Sequence, residues 1–397
     1  MFWQNAQTDL KPLKTVTQLN PETLSEKTAP DFRFDYIDIG GVTHGKGITE
    51  KKILSFSNAP SRARKPVREN DIIISTVRTY LRAIARIGQE DHGNVASTGF
   101  AVCRPVEGVD PTFLFYATQS QPFIEEVVAR SAGISYPAIN PSTLGDIKLP
   151  VPAFEKQKNT ARFLDRETGR IDGLIEKKTR FIALLKEKRA ADIIEAISPK
   201  EGWDRFPFWS VAKSKSISGR PEEGLLSVYL DRGVIPYSEG GGLVHKPAES
   251  LEKYQLVEPG DLVMNNQQAW RGSLGVSLHR GIVSPAYLVL QLDREKIDPT
   301  FANYMFRARP YVEKFMLASM SVGDIQRQIK WPHLRIVPVV VPSVTEQREI
   351  AERLDSEGNR IDDLITLTER SIDLLREKRA ALITAAVTGK IDVRTAA

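Results

Sequence analysis

The side chains that could carry out a reaction in this chain do not fall into a working set. Pro30-Asp31 followed by Glu50-Lys51-Lys52 fits the loose Pro-Asp…Glu-x-Lys arrangement of metal-dependent nucleases, but a pattern this short arises easily by chance. Asn140-Pro141-Ser142-Thr143 lacks the second proline and the aromatic residue of the (Asn/Asp)-Pro-Pro-(Phe/Tyr) loop with which adenine methyltransferases hold a flipped base. Gly45-Lys46-Gly47 lacks the spacing of a phosphate-cradling Gly-x-x-x-x-Gly-Lys-(Ser/Thr) loop. His44, His92, His245, His279 and His333 are scattered without ligand spacing. Cys103 is the single cysteine, so no disulfide within the chain and no multi-cysteine zinc site can form, and its run Phe-Ala-Val-Cys reads as a small buried hydrophobe.

Two other polar clusters have types suited to reading base edges, where Arg or Lys pairs with guanine and Asn or Gln with adenine. The first comprises Ser75, Arg78, Thr79, Tyr80 and Arg82, with Ser135 and Tyr136 in the loop after Gly133. The second comprises Asn265, Asn266, Gln267, Gln268, Trp270 and Arg271, with Gln326 and Arg327. Asn-Asn-Gln-Gln is a costly set to leave beside a strand without polar partners. Arg64 and Lys65, in the run Arg62-Ala63-Arg64-Lys65, are candidate phosphate contacts, which would add affinity but no sequence information. Any one of these residues taken alone is also what an ordinary solvated surface carries.

What must position them is legible in an internal repeat. Residues 152–197 match residues 342–387 at a constant offset of 190, identical at 22 of 46 positions with no gap. Ile171, Leu174, Ile175, Ile182, Leu185 and Ile193, and likewise Ile361, Leu364, Ile365, Ile372, Leu375 and Ile383, recur at helical steps, opposite faces dense in charge. At 1.5 Å per residue, the stretch 170–197 spans about 40 Å. A matched pair of such helices buries its apolar stripes most simply against each other, as a coiled coil.

The same offset reaches upstream, aligning Asp71-Ile72-Ile73-Ile74 with Asp261-Leu262-Val263-Met264 and Gly133 with Gly323, while Asp110-Pro111-Thr112-Phe113 matches Asp298-Pro299-Thr300-Phe301 at 188. Between these anchors the copies diverge: STVRTYLRAIARI stands in one and NNQQAWRGSLGVSL in the other. The runs 71–77, 261–264, 285–290, 147–152 and 336–342 read as strands, and 113–130 and 301–316 as short helices after Asp-Pro. The fold class is α+β: two similar regions, residues 1–151 and 199–341, alternate with helical segments 152–198 and 342–397.

Composition sets the outer bounds. With 397 residues, 41% of them hydrophobic, the chain can hold about two or three domains with real cores. Lys and Arg number 55 against 50 for Asp and Glu, a net +5 and a pI near 9.1, compatible with a polyanionic partner without requiring one. Neither a secretory signal nor an apolar run long enough to cross a bilayer is evident, so a soluble cytoplasmic location is expected.

The order of globular region, long helix, globular region, long helix, with matching helices and dissimilar globular regions, resembles the specificity subunit of Type I restriction-modification enzymes. The resemblance covers the whole chain. Its most recognisable pieces are Gly133-Ile134-Ser135-Tyr136-Pro137-Ala138-Ile139, Gly323-Asp324-Ile325-Gln326-Arg327-Gln328-Ile329, the entry Glu346-Gln347-Arg348-Glu349-Ile350, and Leu-Leu-(Lys/Arg)-Glu-Lys-Arg-Ala-Ala in both helices. The first copy departs at its helix entry, with Phe154-Glu155-Lys156-Gln157-Lys158-Asn159-Thr160. The resemblance implies two target recognition domains related by a pseudo-two-fold axis, each reading one half of an asymmetric bipartite double-stranded DNA target. It also implies spacer helices paired as an antiparallel coiled coil. No catalysis is expected of the chain and no cofactor in it. S-adenosylmethionine would be used by methyltransferase subunits, expected to be two, and ATP and magnesium by restriction subunits. Two rivals stay open on the residues alone: a nuclease that reads and cuts DNA, and an assembly scaffold whose globular regions bind protein.

Overall fold

The computed structural model describes residues 9–240, 247–322 and 326–393. Its contacts divide the chain into two units, residues 1–179 with 369–397, and residues 180–368. The division cuts across two helices of equal length, Phe154–Ile197 and Val344–Val387, so each helix contributes a segment to both units. At 44 residues each they are about 66 Å long, well beyond the 40 Å read from the periodic stretch alone. The added length lies upstream, where the first copy's atypical entry is helical from Phe154.

Each unit is built on a four-stranded antiparallel sheet with the same strand order. In the first unit the order is Thr17–Leu19, Phe100–Pro105, Ile72–Ser75, Ile84–Arg86; in the second it is Ala212–Lys215, Tyr287–Leu292, Asp261–Asn265, Leu274–Val276. The matching extends to single hydrogen bonds. Ser75 N–H donates to the Ala83 carbonyl (2.9 Å) and Asn265 N–H to that of Ser273 (3.0 Å); Ile139 N–H reaches the Thr76 carbonyl and Ile329 N–H that of Asn266, both at 2.8 Å. All four pairs obey the offset of 190. Near each unit's long helix, a short strand pairs antiparallel with the strand that precedes the helix: Leu10–Pro12 with Lys148–Pro150, and Asp204–Pro207 with Pro338–Val341.

Away from this frame the units differ. The first adds a four-stranded mixed sheet, Lys52–Ser55, Arg33–Ile37, Val95–Ser97, Ala63–Pro66, in which Val95 pairs parallel with Tyr36. The second has two separate antiparallel ladders, Leu226–Tyr229 with Gly233–Pro236 and Gln255–Val257 with Gly281–Val283.

The helices after Asp-Pro form for a local reason. Asp110 and Asp298 each accept a hydrogen bond from the N–H three residues on, at 2.8 and 3.1 Å, with proline in the first helical position. Each of these regions is two helices rather than one, Pro111–Gln119 with Gln121–Ala129, and Pro299–Arg307 with Arg309–Leu317. The break falls at Ser120 and Ala308, both extended, two residues ahead of Pro122 and Pro310, because a proline within a helix removes a hydrogen bond and clashes with the preceding turn.

Both long helices are anchored by a buried glutamine. Gln157 accepts from Asp110 N–H at 2.9 Å and donates to the Pro152 carbonyl at 2.8 Å; Gln347 accepts from Asp298 N–H at 2.8 Å and donates to the carbonyls of Lys296 and Pro342, both at 2.9 Å. Removing the Gln347 amide strands buried backbone groups, so Gln347→Ala should cost about 1–3 kcal/mol. Tryptophan fluorescence in a urea titration would register it, since four of the five tryptophans, Trp203, Trp209, Trp270 and Trp331, belong to the second unit. A midpoint equal to that of the parent would remove the anchoring role.

Candidate nucleic-acid interface

The two divergent segments fold into turns at the same edge of the shared sheet frame. In the first unit the chain leaves strand Ile72–Ser75 through Val77 and makes a 3-10 turn at Thr79–Leu81 bounded by Arg78 and Arg82, both left-handed, with φ of 52° and 51°. The loop 131–138 closes over this turn. Ala132 and Ala138 exchange both backbone hydrogen bonds (2.8 and 2.9 Å), Val77 bridges to Ala138, and the hydroxyls of Thr79 and Ser131 lie 2.8 Å apart. Gly133 permits the reversal at φ 107°, a conformation in which an L side chain would be strained. Two segments more than 50 residues apart in sequence thus converge, and the Arg78 guanidinium lies 5.1 Å over the Tyr136 ring.

Arg78, Tyr80, Ser135 and Tyr136 are exposed there, and Arg82 is half-buried, its guanidinium 3.5 Å from the Gln121 side-chain oxygen. Three expectations need correction. Ser75 is buried and donates to the Val77 carbonyl at 2.6 Å; Thr79 is buried against Ser131; and Lys65 is buried, its ammonium bonded to Asn20 Oδ1 at 2.8 Å and to the Phe100 carbonyl. These polar groups hold the turn and the sheet together and present nothing to a ligand. The physical reason is alternation along strands, which points Lys65 inward while Arg64, half-buried, packs 4.8 Å over the Phe56 ring.

In the second unit strand Asp261–Asn265 leads into a 3-10 turn at Ala269–Arg271 closed by Gly272 at φ 104°. The hairpin of Ser319–Val322 and Gln326–Ile329 packs against that turn. Gln267, Gln268, Arg271 and Arg327 are exposed. Arg271 lies 4.5 Å over the Trp270 ring, whose indole N–H donates to the Gln267 carbonyl at 2.8 Å. Asn265 is turned inward on its own loop, accepting from Gln267 N–H at 3.1 Å. Asn266 is half-buried, and its side-chain oxygen has no hydrogen-bond partner among the described residues. The Gln326 side chain and Gly323-Asp324-Ile325 lie outside the described residues.

Each unit therefore sets an arginine over an aromatic ring at its own turn, Arg78 over Tyr136 in the first and Arg271 over Trp270 in the second, by different routes in the sequence. Sequence reasoning missed Leu81, 42% exposed beside Tyr80, and Ile134, fully exposed at the tip of the loop. An apolar residue in a loop gives no periodic signal, so nothing in the sequence marked either.

Beneath the turns the strands begin at buried carboxylates. Asp71 accepts from Arg68 N–H at 2.8 Å and Asp261 from Glu258 N–H at 2.9 Å, again at the offset of 190. Their cations come from different strands. Arg104 grips both Asp71 oxygens at 2.8 Å, and these hydrogen bonds hold its guanidinium well above its ordinary pKa. Lys215 reaches Asp261 at 2.8 Å; burial works against its charge, but the hydrogen bonds to Asp261 and Glu258 prevail and raise its pKa.

The long helices carry a second matched pair of contacts. In the first unit Arg379 donates to Asp172 at 3.0 Å; in the second Arg189 donates to Asp362 at 2.6 Å and to the Gly358 carbonyl at 2.6 Å. Arg189 corresponds to Arg379, and Asp172 to Asp362, at the offset of 190, so the helices exchange roles between units, the relation expected of an isologous contact. In each unit the early part of one helix meets the late part of the other, which is antiparallel pairing.

Elsewhere, a cleft of about 1090 Å³ in the second unit is lined by residues including Arg189, Arg232, Tyr304 and Arg307, and none of the base-reading candidates lines it. Asp31, Glu50 and Lys52 are all exposed. Cys103 is fully buried, which pushes its thiol up to about 12. Among the described residues no group of three or more His, Cys, Asp or Glu side chains could hold a metal ion, and no helix is long and apolar enough to cross a membrane.

Residues 11–181 match the model of the Type I restriction modification DNA specificity domain. The chain is 26% identical over 395 residues to the Type I restriction enzyme MjaVIII specificity subunit of Methanocaldococcus jannaschii, covering 92% of this chain and 86% of that protein. It is 25% identical over 206 residues to the StySPI specificity subunit of Salmonella potsdam, covering 48% and 44%. Among solved structures, a chain from work on complex assembly and conformational transition of the type I R-M system shares the fold at a TM-score of 0.75 and 21% identity, covering 98% of this chain and all of that one. The HsdS subunit from Thermoanaerobacter tengcongensis does so at 0.54 and 22%, covering 96% and 97%. Its family domain over residues 11–181, its relatives and its doubled fold agree: this chain is similar to the specificity subunits of Type I restriction-modification enzymes.

Proposed function

We propose that the chain reads an asymmetric, bipartite double-stranded DNA target, one half-site per globular region, and positions two methyltransferase subunits and restriction subunits on it. The observation that carries this reading is one frame with two faces. The same strands, registers and buried carboxylates recur in both units, while the turns they hold present Arg78, Tyr80 and Tyr136 in one and Gln267, Gln268, Trp270 and Arg271 in the other. A scaffold that only bound protein would have no need to hold two different stacked arginines in equivalent turns. Matched domains suit half-sites spaced near one helical turn of DNA, about 34–36 Å, and different faces suit an asymmetric target. The chain does no chemistry itself: S-adenosylmethionine belongs to the methyltransferase and ATP with magnesium to the restriction subunits, in the cytoplasm. The globular regions are taken as residues 1–151 and 199–341, with 152–198 and 342–397 as spacer helices.

The test exploits modularity. Replacing residues 203–340 with the matching region of another specificity subunit, expressing it with the cognate methyltransferase and mapping genomic methylation should alter one half of the methylated sequence and preserve the other. Alteration of both halves, or methylation without sequence preference, would defeat the reading.

A further inference from the structure

The loop over the first turn carries a side chain that no packing accounts for. Ile134 is fully exposed, and it stands on a loop whose base is fixed by the Ala132–Ala138 pair, the Ile139 N–H bond to the Thr76 carbonyl and the Thr79–Ser131 hydroxyl contact. The same loop carries the exposed ring of Tyr136, with the Arg78 guanidinium 5.1 Å from its centroid, and the turn it closes over exposes Tyr80 and Leu81. We propose that Ile134 is a specificity residue that packs on the 5-methyl group of a thymine in the first half-site. This inference rests on the DNA-reading function proposed above and adds a named contact to it.

The surroundings select that partner. A guanidinium held over an aromatic ring can still offer N–H groups for bidentate contact with guanine O6 and N7, a pattern displayed in the major groove. Ile134 sits on the loop that supplies that ring, so it enters the same groove. There the thymine methyl is the apolar group that base edges display, and an aliphatic side chain beside an arginine can discriminate thymine from cytosine without a hydrogen bond. A rigid loop suits this role because the contact depends on position rather than on adaptable polar groups.

The experiment uses the chain reconstituted with its cognate methyltransferase and a duplex carrying the mapped target. Each thymine of the first half-site, on either strand, is replaced in turn by deoxyuridine, which lacks only the methyl. One replacement should weaken binding by the parent complex about five- to tenfold, the lower part of the range for a specific base contact. Ile134→Ala should weaken binding to the thymine duplex by a similar factor and be indifferent to that same replacement. Loss of Ile134 that weakens thymine and deoxyuridine duplexes alike at every position would overturn the proposal and mark the side chain as a wedge between base steps. A half-site without thymine, or no sensitive position, would also overturn it. The DNA-reading function fails separately, if the parent complex shows no sequence preference. Since Ile134 touches no core, unchanged reactivity of the buried Cys103 thiol in the variant verifies folding.

Discussion

Arg104→Met should destabilise the first unit by about 3–5 kcal/mol, the cost of stranding a buried charge. Asp71 is fully buried, and Arg104 contacts both of its oxygens at 2.8 Å while also reaching Glu22 at 2.5 Å. Glu22 keeps Arg68 at 2.8 Å when Arg104 is removed, and Asp71 keeps only the Arg68 N–H. The chain supplies its own reporter: Cys103, the single cysteine, adjoins Arg104 on the same strand and is fully buried, so its reaction with a thiol reagent in a urea series reads opening of the first unit. Tryptophan fluorescence, dominated by the second unit, should shift little. Asp71→Asn combined with Arg104→Met should recover most of the loss, because the penalty belongs to the uncompensated carboxylate rather than to the pair. A single variant whose thiol opens at the parental urea concentration would show that the pair is not what holds the sheet together.

Arg78→Ala should lower affinity of the methyltransferase complex for its target by about 1–3 kcal/mol, roughly 5- to 150-fold, and relax discrimination at one base pair of the first half-site. Arg271→Ala should do the same at the second half-site and leave the first unaffected. Both guanidinia are pre-oriented by stacking, at 5.1 Å over Tyr136 and 4.5 Å over Trp270, so their loss removes contacts that bear little ordering cost. Competition binding against a library randomised one position at a time distinguishes the roles. A phosphate contact would weaken all sequences alike and reduce the salt dependence by about one ion, the result that would remove Arg78 from the reading set. Lys65→Met provides the contrast: with its ammonium bonded inside the sheet, it should alter stability while leaving the salt slope of DNA binding unchanged.

The corrections share one cause. Residue type marked Ser75 and Thr79 as base readers and Lys65 as a phosphate contact because serine, threonine and lysine are found both at DNA surfaces and in satisfied interiors. What separates these uses is which way the side chain points, and that depends on strand alternation and on a loop arriving from residues 131–138. Ile134 carried no signal in the sequence; it is fully exposed on the loop that reverses at the positive-φ Gly133. The break at Ser120 and Ala308 was readable in principle, since Pro122 and Pro310 stand in the sequence.

The doubled architecture is legible from residue order alone. An ungapped offset of 190 over 46 residues requires two similar helices, and Asp71 with Asp261 and Asp110 with Asp298 mark equivalent strand and helix starts, because capping and apolar periodicity act over a few residues. Partner choice emerges with the packed fold: Arg189 pairs with Asp362 while Arg379 pairs with Asp172, Asp71 draws its cation from Arg104 and Asp261 from Lys215, and Arg78 lies over a tyrosine 58 positions away. Those partners are set by chain segments far apart in sequence. Their proximity comes from how the sheet, the turn and the closing loop pack together, which no local pattern encodes.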